Sequence, residues 1–107
     1  MDELKFGDIV LLKFPFTNGL VFKKRPALVI KDSKDNDVIV CRVTSKLYQT
    51  SFDLKIRNWE MCGLRLPSVI LVHKIATLEK NLVDLKLGHL EKLTQNQVKR
   101  IFKKLVN

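Results

Sequence analysis

Cysteine, proline, glycine, tryptophan and tyrosine are all scarce in this chain of 107 residues: two Cys, three Pro, four Gly, one Trp and one Tyr. So little cysteine excludes a disulfide-stapled scaffold. So little proline and glycine excludes collagen-like or linker-type sequence. No apolar run approaches the ~20 residues that a membrane-spanning helix needs. The opening "MDELKFGD" is acidic and polar where a secretory signal is basic and then apolar, so a cytoplasmic protein is expected. Negative charge is also in short supply. Twenty Lys and Arg stand against eleven Asp and Glu, which leaves +9 and attracts polyanions.

What is present is apolar sequence in short blocks. With 46% hydrophobic residues and no repeat, the chain reads as one globular domain, 1–107. "DIVLLKF" (8–14), "ALVIKD" (27–32), "DVIVCRV" (37–43) and "SVILVHKI" (68–75) have the continuous apolar cores of strands covered on both faces. "SFDLKIR" (51–57) and "VDLKL" (83–87) alternate, as half-buried strands do. The link "KDSKDND" is too short for a crossover helix, so the strands around it form an antiparallel hairpin. Five or six short antiparallel strands in so small a chain point to a compact β-barrel, since closure removes exposed edges.

The last segment, "LTQNQVKRIFKKLVN", has helical periodicity. Val98, Ile101, Phe102, Leu105 and Val106 make one apolar stripe, with Lys99, Arg100, Lys103 and Lys104 opposite. Thr94 with Gln97 predicts a capping box, and Leu93 with Val98 a hydrophobic staple. The basic outer face reads as a solvated surface.

Three loops carry the remaining information. "FPFTNGLVFKKRP" (14–26) is a long connection between strands that are otherwise neighbours, and long loops are often functional. "TSKLYQT" (44–50) brings hydroxyls, a lysine and Tyr48. "NWEMCGLRLP" (58–67) holds Trp59, either a stacking platform for a base or, more commonly, a core plug. A zinc set from Cys41, Cys62, His73 and His89 lacks the usual ligand spacing, and buried thiols with ordinary histidines are the simpler reading.

Taken in order, "GDIVLLKFPFTNG", "KKRPALVI", "RVTSK", "NWEMCGLRLPSVILVHKIATLEKNL" and "KLGHL" resemble the PemK/MazF-like toxins of bacterial type II toxin–antitoxin systems over nearly the whole chain. The resemblance implies a mainly β fold with α, a small SH3-like antiparallel β-barrel plus a C-terminal helix, as a homodimer. It also implies a sequence-specific endoribonuclease (an mRNA interferase) that cleaves single-stranded RNA without a metal or other cofactor and is silenced by an acidic antitoxin protein. Its catalytic pair falls on Arg25 and Thr44, with Ser45 beside Thr44. Where related sequences often carry a basic residue in the S-V-x-x strand, this chain has Leu71.

The chemistry of the residues agrees with that transfer. RNA contains its own nucleophile, the 2′-OH, so alignment, charge stabilisation and proton handling suffice. A guanidinium is a planar, permanently charged fork for phosphate oxygens. Pro26 fixes φ directly after Arg25, and the strand beyond it is buried. Thr44 suits positioning and charge stabilisation. His73 is a candidate proton acceptor by its ordinary titration range, with Lys74 beside it, and a core or rim histidine is the alternative. Lys23, Lys24, Arg42, Lys46 and Lys74 are candidate RNA contacts. Leu20, Val21 and Phe22 are candidates for a subunit contact or an antitoxin groove. Two rival readings remain open: Arg25 could pair with Asp32 or Asp53 and Thr44 could cap a turn; or the fold could serve a non-enzymatic toxin that poisons a protein such as DNA gyrase, or a plain nucleic-acid-binding barrel.

Overall fold

The computed structural model of the protein describes residues 3–15, 22–46 and 49–107. Six strands form a single antiparallel sheet: β1 (Asp8–Pro15), β2 (Phe22–Asp32), β3 (Asp37–Thr44), β4 (Asp53–Lys55), β5 (Val69–Glu79) and β6 (Val83–His89). Their order across the sheet is β4-β5-β3-β2-β1-β6, followed in the chain by one helix, α1 (Lys92–Val106). The sheet curls without closing, because β4 and β6 end it unpaired with each other. With only three residues in β4, that edge offers little to close on. The barrel-like architecture expected from the sequence is nonetheless the one observed.

Strand order follows from the connections. The "KDSKDND" hairpin joins β2 to β3 as expected, with Asp32 Oδ1 accepting the Lys34 N–H at 2.9 Å and Asp35 Oδ1 accepting the Asp37 N–H at 2.8 Å. Lys34 sits there at φ 66°, the left-handed position that the short link demands. β2 is longer than the sequence suggests. Residues 22–26, read as loop, pair with β1 in the register Leu11↔Pro26, Leu12↔Arg25 and Lys13↔Lys24. β3 stops pairing with β2 at Ala27↔Arg42, so this part of β2 is an edge, where a proline's missing N–H is tolerated.

The sheet has two apolar faces. On one, Ile9, Leu28, Cys41, Val43, Ile70 and Val72 pack under α1 (Val98, Ile101) and the 56–64 segment. On the other, Val10, Leu12, Ala27, Val29, Val38 and Val40 form a smaller cluster with Leu4 and Val83.

α1 starts two residues before the expected cap. Glu91 is its N-cap, and Thr94 lies buried inside the first turn with its hydroxyl donating to Glu91 Oε1 at 3.4 Å. The capping box and the staple are therefore absent, and Leu93 is half exposed. The cause is a polar clamp that the sequence does not advertise. Buried Gln95 donates to the Leu90 carbonyl at 2.9 Å and meets His89 Nε2 at 3.0 Å. His89 Nδ1 in turn lies 2.7 Å from Asp8 Oδ1. Asp8 Oδ2 also accepts the Lys5 N–H at 2.9 Å and faces Lys86 Nζ at 3.2 Å. This clamp ties β1, β6 and α1 together. The helix stripe is otherwise as expected except Val106, which is 83% exposed, and Lys99, whose ammonium lies over the Phe6 ring at 5.5 Å.

The 58–67 segment is held against β6 by backbone proximity. Gly63 adopts φ 80°, and a Cβ there would stand 2.2 Å from the Leu87 carbonyl oxygen. A Cβ at Gly88 would stand 2.5 Å from the Cys62 backbone.

Burial raises the pKa of Asp8, but the hydrogen bonds from the Lys5 N–H, His89 and Lys86 outweigh it and hold the carboxyl below its ordinary value. A carboxyl depressed on folding contributes stability above its unfolded pKa and loses it as pH falls through the folded value. Urea midpoints should therefore drop as pH falls below about 4 in the native protein. Asp8→Asn should flatten that dependence while lowering stability at pH 7 by about 1–3 kcal/mol.

Candidate functional site

The strand register sets Arg42, one of the expected residues, in a row that crosses four strands. Ala27 pairs with Arg42, and Arg42 with Leu71, which pairs with Asp53, so these four form one row across β2, β3, β5 and β4. One row along, Thr44 pairs with Val69 and Arg25 with Leu12. The β2–β3 ladder ends at Ala27↔Arg42, so Arg25 and Thr44 lie just beyond its last pair, and Thr44 is not among the residues lining the groove beside it.

A groove of about 510 Å³ runs along this face, lined by Leu12, Lys23, Arg25, Pro26, Ala27, Val40, Arg42, Lys74, Ile75, Ala76 and Leu78. Its floor is the apolar face of the sheet and its polar lining is cationic throughout. Lys23, Arg42 and Lys74 are exposed, and Arg25 is half-buried. Leu71 is buried, so the position where related sequences carry a base contributes no charge here.

Arg25 has no carboxylate within ion-pair distance among the described residues. The acids proposed as alternative partners are engaged elsewhere: Asp32 with Lys80 at 2.6 Å, and Asp53 with the Thr50 N–H at 2.8 Å. Thr44 does cap a turn, its hydroxyl oxygen accepting the Lys46 N–H at 3.2 Å. An oxygen that accepts still has its proton to donate, so capping fixes the rotamer without using up the donor.

Other candidates lie apart. Lys24 points to the opposite face, where it pairs with Asp84 at 3.0 Å. Ser45 and Lys46 are exposed in the turn after β3. Ser45 lines a second depression with Lys24, Arg65 and Leu85 on that opposite face. His73 lies within β5 and not at a strand end. It sits where Val72, His73 and Lys74 are inserted between Leu71, opposite Arg42, and Ile75, opposite Cys41. Trp59 packs against the main core and acts as a plug. Leu20, Val21 and Tyr48 lie outside the described residues, as does the side chain of Phe22.

The four residues weighed as a zinc set do not converge. Cys41 is buried in the core, and the Cys62 thiol reaches the His89 carbonyl at 3.5 Å. The His89 ring is held by Asp8 and Gln95, while His73 faces Asp53 at 4.0 Å. Two arrangements were invisible to sequence reasoning. Alternation places Asp53 on the solvated side of β4, yet its side chain is only 2% exposed. Asp8 and His89 are 81 residues apart, and no local pattern links them.

Compared with known proteins, residues 5–106 match the family model described as the PemK-like, MazF-like toxin of type II toxin–antitoxin systems, and the chain belongs to that family. No curated protein matches the sequence. Among solved structures, the chain is similar to a MazE–MazF complex from Deinococcus radiodurans, with 20% identity and a TM-score of 0.80 over 96% of this chain and 95% of that one. It is also similar to an endoribonuclease from a mycobacterial species in complex with its cognate antitoxin, with 16% identity and a TM-score of 0.74 over 97% and 95%. The Mycobacterium tuberculosis toxin MazF-mt6 matches at 16% identity and a TM-score of 0.65 over 88% and 96%. At these identities the likeness shows a shared fold.

Burial pushes the Cys41 thiol up to about 12 and raises that of Cys62, with Glu91 adding to the latter. Both thiols are therefore held in the protonated, unreactive form by burial. Both cysteines should resist a thiol reagent in the folded protein and react fully once it is denatured, which colorimetric titration will read directly.

Proposed function

We propose that the protein is the endoribonuclease toxin of a type II toxin–antitoxin pair, cleaving single-stranded RNA in the cationic groove. The observation that carries this reading is Arg25. It is a guanidinium without a carboxylate partner among the described residues, anchored on a paired strand beside Lys23, Arg42 and Lys74. Mobile cations suffice to attract a polyanion, whereas stabilising a phosphorane calls for donors whose positions are set beforehand. Arg25 grips the non-bridging phosphate oxygens, and the Thr44 hydroxyl donates to one of them. The 2′-oxygen attacks phosphorus and the 5′-oxygen leaves, with charge neutralised by the groove. Single strands fit because their bases can be splayed onto an apolar floor such as Pro26, Ile75 and Ala76.

The same chemistry suits the partner. An acidic antitoxin segment with apolar side chains would match cations over an apolar floor, and the mycobacterial endoribonuclease of the same fold is found with its cognate antitoxin. A homodimer in the cytoplasm is part of this reading. Among the described residues, no helix is long and apolar enough to cross a membrane.

Purified protein should cut a long single-stranded RNA in the presence of EDTA, and Arg25→Ala should slow cutting by about 10²–10³-fold with the fold intact. Wild-type protein that binds RNA but never cuts it would reduce the function to nucleic-acid binding, and inhibition of gyrase with all RNAs spared would favour a protein-poisoning toxin. Binding measured against salt separates the cations. Alanine at Lys23, Arg42 or Lys74 should each shrink the log–log slope by about 0.7, whereas Lys24→Ala, on the far face, should leave it unchanged.

A further inference from the structure

Two buried side-chain atoms among the described residues have no hydrogen-bond partner, Asp53 Oδ1 and His73 Nδ1, and they face each other at 4.0 Å. Buried polar atoms are almost always satisfied, so a facing pair of exceptions indicates a contact that closes under some condition. Asp53 is held from behind, because its Oδ2 accepts the Thr50 N–H at 2.8 Å. His73 is held from the side by the Phe52 ring, with centroids 5.4 Å apart. At 4.0 Å the two atoms are beyond ordinary hydrogen-bond length and would have to approach by about 1 Å to bond.

The rest of the ring is open. The His73 side chain is 32% exposed while its Nδ1 is buried, and Nε2 is not among the buried unpartnered atoms. One nitrogen thus faces a buried carboxylate, while the side chain as a whole is partly exposed. This is how a carboxylate fixes the tautomer of an imidazole so that its free nitrogen can accept a proton. The position is equally specific. Asp53 lies in the row of Leu71 and Arg42, and the three-residue insertion in β5 that carries His73 also carries Lys74, a groove-lining cation. Bulges commonly redirect a side chain beside an active site.

Neither residue lines the groove itself, but Lys74 next to His73 and Arg42 in the row of Asp53 do. We propose that Asp53 and His73 form a proton-accepting pair beside the groove: Asp53 positions the ring with Nδ1 protonated, and His73 Nε2 takes the proton of the RNA 2′-OH. This assignment rests on the endoribonuclease reading. As Nε2 accepts that proton, the 2′-oxygen–phosphorus bond forms and the phosphorus–5′-oxygen bond breaks, leaving a 2′,3′-cyclic phosphate. The departing 5′-oxygen takes a proton from water, and the imidazolium returns its own to the hydroxide so formed. His73 is the catalytic residue and Asp53 the positioning one. The charged groups around the ring are Asp53 from β4, Lys74 on its own strand, and Arg42 from β3 in the adjoining row.

Nitrogen-15 NMR of the histidines in the wild-type protein reads the tautomer without any substrate. His73 should carry its proton on Nδ1, and Asp53→Asn should move it to Nε2. In cleavage assays His73→Gln and Asp53→Asn should each lower kcat by about 10²-fold or more, with KM and salt slope unchanged. The acidic limb of the kcat–pH profile should disappear in His73→Gln. A wild-type His73 protonated on Nε2 at neutral pH overturns the pair whether or not RNA is cut. Normal cutting by His73→Gln beside a dead Arg25→Ala overturns it too, and leaves the endoribonuclease reading standing. If the wild type cuts no RNA, that reading fails first, and the catalytic role given to His73 goes with it.

Discussion

One sheet with two apolar faces and a single helix to cover them is the constraint from which the molecule follows. α1 and the 56–64 segment cover one face completely, burying Ile9, Leu28, Ile70 and Val72. The other face relies on the curl of the sheet and on Leu4 and Val83. Where that cover ends, Val40, Ala76 and Leu78 are left as the floor of a groove. The groove is thus the unfinished side of the core, and its walls are as rigid as the strands that form it.

Charge is distributed to match. Several acids of the described residues are committed away from the groove: Asp84 to Lys24, Asp32 to Lys80, Glu3 to Lys34, and buried Asp8 to His89 and Lys86. With 20 cations against 11 anions, spending the anions on other faces concentrates the surplus where the floor is bare. Lys23 and Lys24 show this at the level of one strand. Adjacent residues point to opposite faces, so one cation lines the groove and the next is neutralised behind it.

The strands were legible because their apolar blocks are continuous, and the hairpin because its link is too short for anything else. The first half of β2 was not, since "FKKRP" has neither alternation nor a continuous apolar block; it is a strand because β1 lies alongside it. Thr94 has the chemistry of a cap, but the pull of Gln95 on Leu90 and His89 starts the helix earlier. In the candidate site, Arg25 and Thr44 could be proposed from resemblance and from their neighbours in sequence. Asp53 could not, because its partner is 20 residues away on another strand and its alternation pattern assigns it to solvent. Long-range polar pairs leave no local trace, and here they set both the helix start and the surroundings of His73.

The contact between the 58–67 segment and β6 limits how this surface can vary. Gly63 lies against the Leu87 carbonyl and Gly88 against the Cys62 backbone, with no room for even a methyl group at either point. Two main chains meet there directly, as in a rivet. Variation in the segment is therefore confined to what projects outward, such as Met61 and Leu66, which stand 81% and 57% exposed. A lineage carrying this fold can restyle that outer surface freely while the path of the chain beneath it stays fixed.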